Sequence, residues 1–160
     1  MKVIIMRGIP GSGKSTQAQR WAKLVPGTVI VSADTYMYAG GQEFADSRLS
    51  WCHEQCQAEY TRALEAKAPL VIVDNTNSKF SDIVFYVTEA ERHGYEFMVL
   101  QINIEPRIAA ERCVHKAPLK TVELFARRLW SERLPSTWDV WNQGVPWRPP
   151  RKSSGEASRS

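Results

Sequence analysis

Nine consecutive residues, Gly8-Ile9-Pro10-Gly11-Ser12-Gly13-Lys14-Ser15-Thr16, match G-x-x-x-x-G-K-[ST], a spacing that can hold a triphosphate. Gly8, Gly11 and Gly13 permit backbone turns closed to other residues, so that successive N–H groups point inward at phosphate oxygens. Pro10, Ser12 and Thr16 complete the cradle, Lys14 is placed to reach the β and γ phosphates, and the Ser15 hydroxyl can ligate Mg²⁺. The chemistry so implied is binding of ATP with Mg²⁺, and phosphoryl transfer from it.

Transfer also needs a proton acceptor, a second metal-side carboxylate and cations for the charge that spreads over the γ oxygens. Asp34 closes the apolar run Val29-Ile30-Val31-Ser32-Ala33 and suits the base, the alternative being a cap on the following segment. Asp74 closes Leu70-Val71-Ile72-Val73 and suits a Walker-B-like role, holding Mg²⁺ or its water beside Ser15. Asn75 and Asn77 follow, serving either function or an Asx turn. Arg107, Arg112, His115, Lys116 and Lys120 form a basic cluster that could close over the nucleotide as a lid, with Arg112 as a catalytic cation and Lys116 as a nucleotide contact. Arg112 and Lys116 would share one face if their helix runs far enough.

These residues need a scaffold that brings strand ends together. Apolar runs at residues 2–6, 28–32, 70–73 and 96–103 read as strands, and residues 14–24, 43–66, 81–93, 107–114 and 119–133 read as helices. Alternation with short links predicts an α/β fold of the P-loop NTPase class: a parallel sheet sandwiched by helices, with a helical lid. In such sheets the ligand crevice lies at the carboxyl ends of the strands, where the loop, Asp34 and Asp74 all fall. Pro26-Gly27, Pro69 and Gly94 supply helix stops.

The expected division is a kinase-like domain over residues 1–134, a Trp- and Pro-rich segment over 135–150, and a disordered polar tail over 151–160. The middle segment carries Trp138, Trp141 and Trp147 among four prolines and cannot be a long helix. It is expected to run over the domain with its tryptophans anchored; a base-stacking platform is the alternative.

The bulk composition, 43% hydrophobic and 24% charged over 160 residues, fits one globular domain. Of the formal charge of +4, most sits at the end of the chain, where Arg148, Arg151, Lys152 and Arg159 face only Glu156. A nearly neutral body argues against binding long duplexes by counterion release and leaves room for a local groove gripping a few phosphates. Cys52, Cys56 and Cys113 are odd in number, and the first two share a helical face, which suits buried helix cysteines in a reducing compartment over a disulfide framework or a zinc site. With no membrane-length apolar run and no signal-peptide pattern, the expectation is a cytoplasmic protein.

Together GIPGSGKST, Ser32-Ala33-Asp34-Thr35-Tyr36, the VDNTN of residues 73–77 and Arg112-Cys113-Val114-His115 resemble the polynucleotide 5′-hydroxyl kinase branch of P-loop kinases, over roughly residues 1–130. The likeness extends to the phage end-healing kinase, to zeta-toxin-like P-loop kinases and to the kinase-like domain of a eukaryotic ubiquitin-ligase-binding protein family. VDNTN is especially similar to the last. The resemblance implies Lys14 and Ser15 as triphosphate and Mg²⁺ residues, Asp34 as general base, Arg112 as a lid arginine, and a cleft admitting a single-stranded 5′-OH end of RNA or DNA as acceptor. Two positions depart from it. Met37 stands where the phage kinase has an arginine that holds the acceptor phosphate, and Lys116 stands for a second lid arginine, without its bidentate reach. Arg48 could supply the missing contact or form a surface ion pair. A small-metabolite or nucleotide kinase, or an NTP-binding adaptor, remain open on the same scaffold, as does a homo-oligomer.

Overall fold

The computed structural model describes residues 1–150; the expected polar tail lies outside the described residues. Five parallel strands form one sheet in the order β2-β3-β1-β4-β5, with β1 at Lys2–Arg7, β2 at Val29–Val31, β3 at Leu70–Asp74, β4 at Glu96–Ile102 and β5 at Val140–Gln143. The central strand β1 pairs on both sides, Ile5 with Val73 and with Val99, and its interior is buried throughout. That is why its sequence reads as an unbroken apolar run: a strand covered on both faces has no solvent side on which to place polar residues.

Alternate residues of β1 feed two cores. Val3 and Ile5 pack with Tyr60, Leu64, Ile83 and Tyr86, from helices α3 (Leu49–Glu65) and α4 (Phe80–Arg92). Ile4 and Met6 pack on the opposite face with Ala18 and Trp21, from α1 (Lys14–Leu24). The expected cysteine placement holds, since Cys52 and Cys56 are both buried within the α3 side of the core. A third, smaller cluster joins Ile9 of the glycine-rich loop to Ala109 of α5 (Pro106–Arg112) and to Val122 and Ala126 of α6 (Leu119–Ser131). The α5–α6 hairpin thus sits directly against the loop.

Three expectations change. The helix expected over 43–66 begins only at Leu49, and before it lie a five-residue helix, α2 (Ala33–Met37), and two short 3₁₀ turns, Ala39–Gly41 and Asp46–Arg48. Gly40 and Gly41, at φ 65° and 77°, turn the chain out of helical geometry between them. The helix expected over 107–114 stops at Arg112, and Lys116 takes φ 50°, so Arg112 and Lys116 do not share a helical face.

The third change concerns residues 135–150, which contain the edge strand β5, aligned so that Val140 meets Val99. With only four residues, β5 is specified by its partner β4 more than by any pattern of its own. Its tryptophans are unequally anchored. Trp138 stacks on Phe80 with centroids 5.4 Å apart and meets Phe97 edge-on, and Trp147 is half-buried near Arg127, whereas Trp141 is 60% exposed. Among the described residues no helix is long and apolar enough to cross a membrane.

Candidate phosphate and acceptor site

The loop leaves β1 through a buried scaffold built largely by residues 74–78. The Gly8 N–H donates to the Thr76 carbonyl at 3.0 Å, and Asn77, at φ 46°, donates from its amide to the Met6 carbonyl at 2.7 Å. Arg7 returns the contact, donating from Nε to the Asn77 carbonyl at 3.1 Å, from Nη2 to the Ser78 carbonyl at 3.2 Å, and from Nη1 to Gln101. Burial lowers the Arg7 pKa to about 10, against the opposing fields of Glu132 and Asp82. These bonds pin the ends of β1 and β3 together just before the loop begins.

The loop then wraps the start of α1. Gly13, at φ 95° and ψ 14°, forms the N-cap without any side-chain cap, and the first turn holds no acidic residue, so the positive end of the helix stays open to an anion. Gly11, at φ 79°, lies so close to α5 that a Cβ there would stand 1.9 Å from the Ala109 carbonyl oxygen. The buried Ser12 Oγ has no hydrogen-bond partner. An orphaned hydroxyl in a glycine cradle fits a loop shaped around a ligand oxygen.

Lys14 is buried, and its Nζ donates to the carbonyls of Gly8 at 3.1 Å and Ile9 at 3.0 Å. Burial pushes its pKa down, while Asp74 first and then Asp34 push back. Asp74, buried at the end of β3, is shifted upward by burial, with the Ser15 hydroxyl and then Lys14 favouring the carboxylate. Lys14 and Asp74 thus act on each other electrostatically at the open end of α1, where Ser15 also lies. Hydroxyl and carboxylate oxygens are the donors a hard divalent cation takes, so the residues present fit Mg²⁺ as well as a polyphosphate.

Asp34 lies in the first turn of α2, exposed, and carries no ion pair among the described residues. The capping task falls instead to Ser32, whose Oγ accepts from the Asp34 N–H at 3.3 Å. The start of α2 is held from below by Asn75, whose Oδ1 accepts the Ala33 N–H at 2.9 Å. Asn75 is itself fixed in the core, its Nδ2 donating to the Tyr86 hydroxyl at 3.4 Å and Cys56 Sγ at 3.5 Å. Asn75 and Asn77 are thus structural ties between strand ends. Sequence reasoning left their role open because an Asx turn and a buried amide tie use the same residue type.

On the lid, Arg112, His115 and Lys116 are exposed, with Arg112 in the last turn of α5 and the other two in the turn beyond. Met37 is buried and presents no polar group outward. Arg48 forms no ion pair among the described residues; its Nη2 donates to the carbonyls of Met37 at 2.9 Å and Glu43 at 2.5 Å, stapling the segment after α2. One pair escaped the sequence reading. The rings of Tyr38 and His115 stack at 3.6 Å, joining the acceptor-side segment to the lid, and no local pattern links residues so far apart in the chain.

A parallel sheet flanked by helices, with a glycine-rich loop opening α1 and a helical hairpin over it, defines a P-loop kinase-like fold. The chain belongs to the AAA domain family, whose model matches residues 3–128. It is 33% identical over 118 residues to human NEDD4-binding protein 2, an overlap covering 71% of this chain but only 7% of that protein. In fold it is similar to a chain of the Pnkp1/Rnl/Hen1 RNA repair complex, with a TM-score of 0.67 and 22% identity over 81% of this chain and 44% of the other. It is also similar to a gluconokinase from Sinorhizobium meliloti 1021, with a TM-score of 0.57 and 17% identity over 88% of this chain and 81% of that one.

Proposed function

We propose that this chain is a Mg-ATP-dependent kinase that transfers the γ-phosphate to the 5′-hydroxyl of an RNA or DNA end. The observation that carries the reading is Asp34: a carboxylate excused from capping, exposed at the strand-end crevice, and close enough to Lys14 and Asp74 to act on both electrostatically. In this reading Asp34 accepts the proton of the acceptor hydroxyl, the hydroxyl oxygen bonds to the γ-phosphorus, and the bond from phosphorus to the β–γ bridging oxygen breaks, releasing ADP. Lys14 and the N–H groups at the start of α1 hold the phosphate oxygens, and Arg112 brings a cation from the lid. Ser15 and Asp74 would hold Mg²⁺, which when bound neutralises charge on the β and γ oxygens.

Likeness to a chain of an RNA repair complex supports a nucleic-acid end as acceptor. Met37 supports a second reading, a small-metabolite kinase, because a buried methionine supplies no cation for an acceptor phosphate. The test is transfer of labelled γ-phosphate to 5′-OH RNA and DNA oligonucleotides, nucleosides, nucleotides and small alcohols, for the native chain and for Asp34→Asn. Label on oligonucleotides, with kcat reduced about 10²–10⁴-fold in Asp34→Asn and ATP affinity unchanged, is expected for an end kinase with that base. Label confined to a small acceptor overturns the choice of acceptor, and retention of transfer within a few-fold in Asp34→Asn overturns the base. Tight ATP binding with no label on any acceptor would leave an adaptor.

A further inference from the structure

The acceptor side and the lid touch through two rings. Tyr38 is the C-cap of α2, four residues beyond Asp34, and His115 lies three residues beyond the end of α5. Their centroids are 3.6 Å apart and their planes differ by 5°. The two sides are anchored differently. Tyr38 packs against the edge of the main core, whereas His115 is exposed, on irregular backbone next to Lys116 at φ 50°. Burial, then the charge of Asp34, then that of Cys113, raise the Tyr38 pKa.

The two residues at the positions expected to hold an acceptor phosphate are turned to other tasks. Met37 is buried, and Arg48 is occupied by two backbone carbonyls. We propose that Tyr38 and His115 form an aromatic clamp for the nucleobase at the acceptor's 5′ end, an inference that rests on the 5′-hydroxyl kinase reading. Opening the pair to twice its separation admits one flat ring and exchanges a single ring–ring contact for two. Tyr38, braced on the core, is the fixed jaw; His115, carried by the lid, is the moving one. Because every base has a π face, such a clamp grips RNA or DNA ends without selecting sequence. It also couples lid closure to acceptor occupancy, since the base completes the contact between them.

The experiment compares transfer to a single-stranded 5′-OH oligonucleotide and to the same strand with an abasic 5′-terminal sugar, for the native chain, Tyr38→Leu, His115→Leu and Tyr38→Phe, each checked for an unchanged melting temperature. The native chain is expected to show an acceptor KM about 10-fold higher for the abasic end, in line with loss of one base stack. Tyr38→Leu and His115→Leu should raise KM for the intact end by a similar factor and abolish the discrimination, leaving KM for ATP unchanged. Tyr38→Phe, which keeps the ring, should retain it. Discrimination that survives in both leucine variants overturns the clamp while the kinase reading stands. A rise in KM for ATP instead of for the oligonucleotide assigns the pair to the donor base and also overturns it. Transfer to small alcohols but to no oligonucleotide by the native chain removes the 5′-hydroxyl end as acceptor, and the clamp with it.

Discussion

The phosphate loop and the segments proposed to receive the acceptor are built in opposite ways. From Met6 through Lys14 the chain is held at its main-chain groups: Thr76 fixes Gly8, the Asn77 amide fixes Met6, and the Lys14 ammonium rests on the carbonyls of Gly8 and Ile9. From Asp34 through Arg48, and again from Arg112 through Lys116, the chain runs in a five-residue helix, 3₁₀ turns and positive-φ turns, and its polar side chains are mostly exposed. The contrast teaches a division of labour. A phosphate is bound well by N–H groups whose direction is set by main-chain geometry, so that half can be rigid and use few side-chain types. On the proposed kinase reading, an acceptor must be told apart from other hydroxyl compounds, so that half would rely on particular side chains, here carried on short helical turns and irregular backbone.

Substitutions can break this contrast at graded depth, beginning with the largest effect. Lys14→Ala removes the buried cation and is expected to lower transfer by about 10³-fold, the scale of losing one preorganised electrostatic contact to the transition state, as read by single-turnover phosphoryl transfer. Gly11→Ala forces a Cβ toward the Ala109 carbonyl at a φ of 79°. It should cost about 1–3 kcal/mol in denaturant unfolding and weaken ATP binding, because the clash levers the lid hairpin off the loop. If Gly11→Ala changed acceptor KM alone, the loop and the acceptor side would not be separable as described.

Asn75→Leu tests the tie between the halves. It orphans the Ala33 N–H and removes the amide bonds to Tyr86 and Cys56, which keep only their bond to each other, and should lower stability by about 1–3 kcal/mol. As Asn75 supports Asp34 through backbone, kcat should fall while KM for ATP holds. The smallest effect is expected of Ser12→Ala, which deletes a buried hydroxyl without a partner. It should raise the melting temperature of the ligand-free protein by an amount equivalent to about 1 kcal/mol, while weakening ATP binding if the hydroxyl serves the phosphates. A fall in melting temperature would show that the hydroxyl is satisfied within the protein.

The donor half was readable because its signals are local. Glycines, a lysine and a serine at fixed offsets, between a buried strand and a helix, declare both conformation and chemistry within nine residues. The end of β3 was equally plain, since Asp74 interrupts a run buried on both faces. On the other half the sequence placed Asp34 just past a strand end, where the first turn of α2 holds it, and little else. The expected long helix over 43–66 hid the turn at Asp46–Arg48, because helix-compatible residues at 43–48 say nothing of the Arg48 staple that folds them back, and the five-residue α2 is too short to show a period of its own. In the same way, β5 is too short to announce itself, and Trp138 is anchored by Phe80 and Phe97, residues far away in sequence.

What the sequence by itself determined, then, is the phosphate loop, the parallel sheet, the two strand-end carboxylates and the basic character of the lid, all set by residue type, period and spacing within short windows. The tertiary structure alone decided that Met37 turns inward, that Arg48 is spent on carbonyls, that Asn75 and Asn77 lock the strand ends, and that Tyr38 meets His115. Those outcomes rest on contacts between distant segments, where a side chain's role depends on which neighbour the fold brings to it rather than on its own propensity.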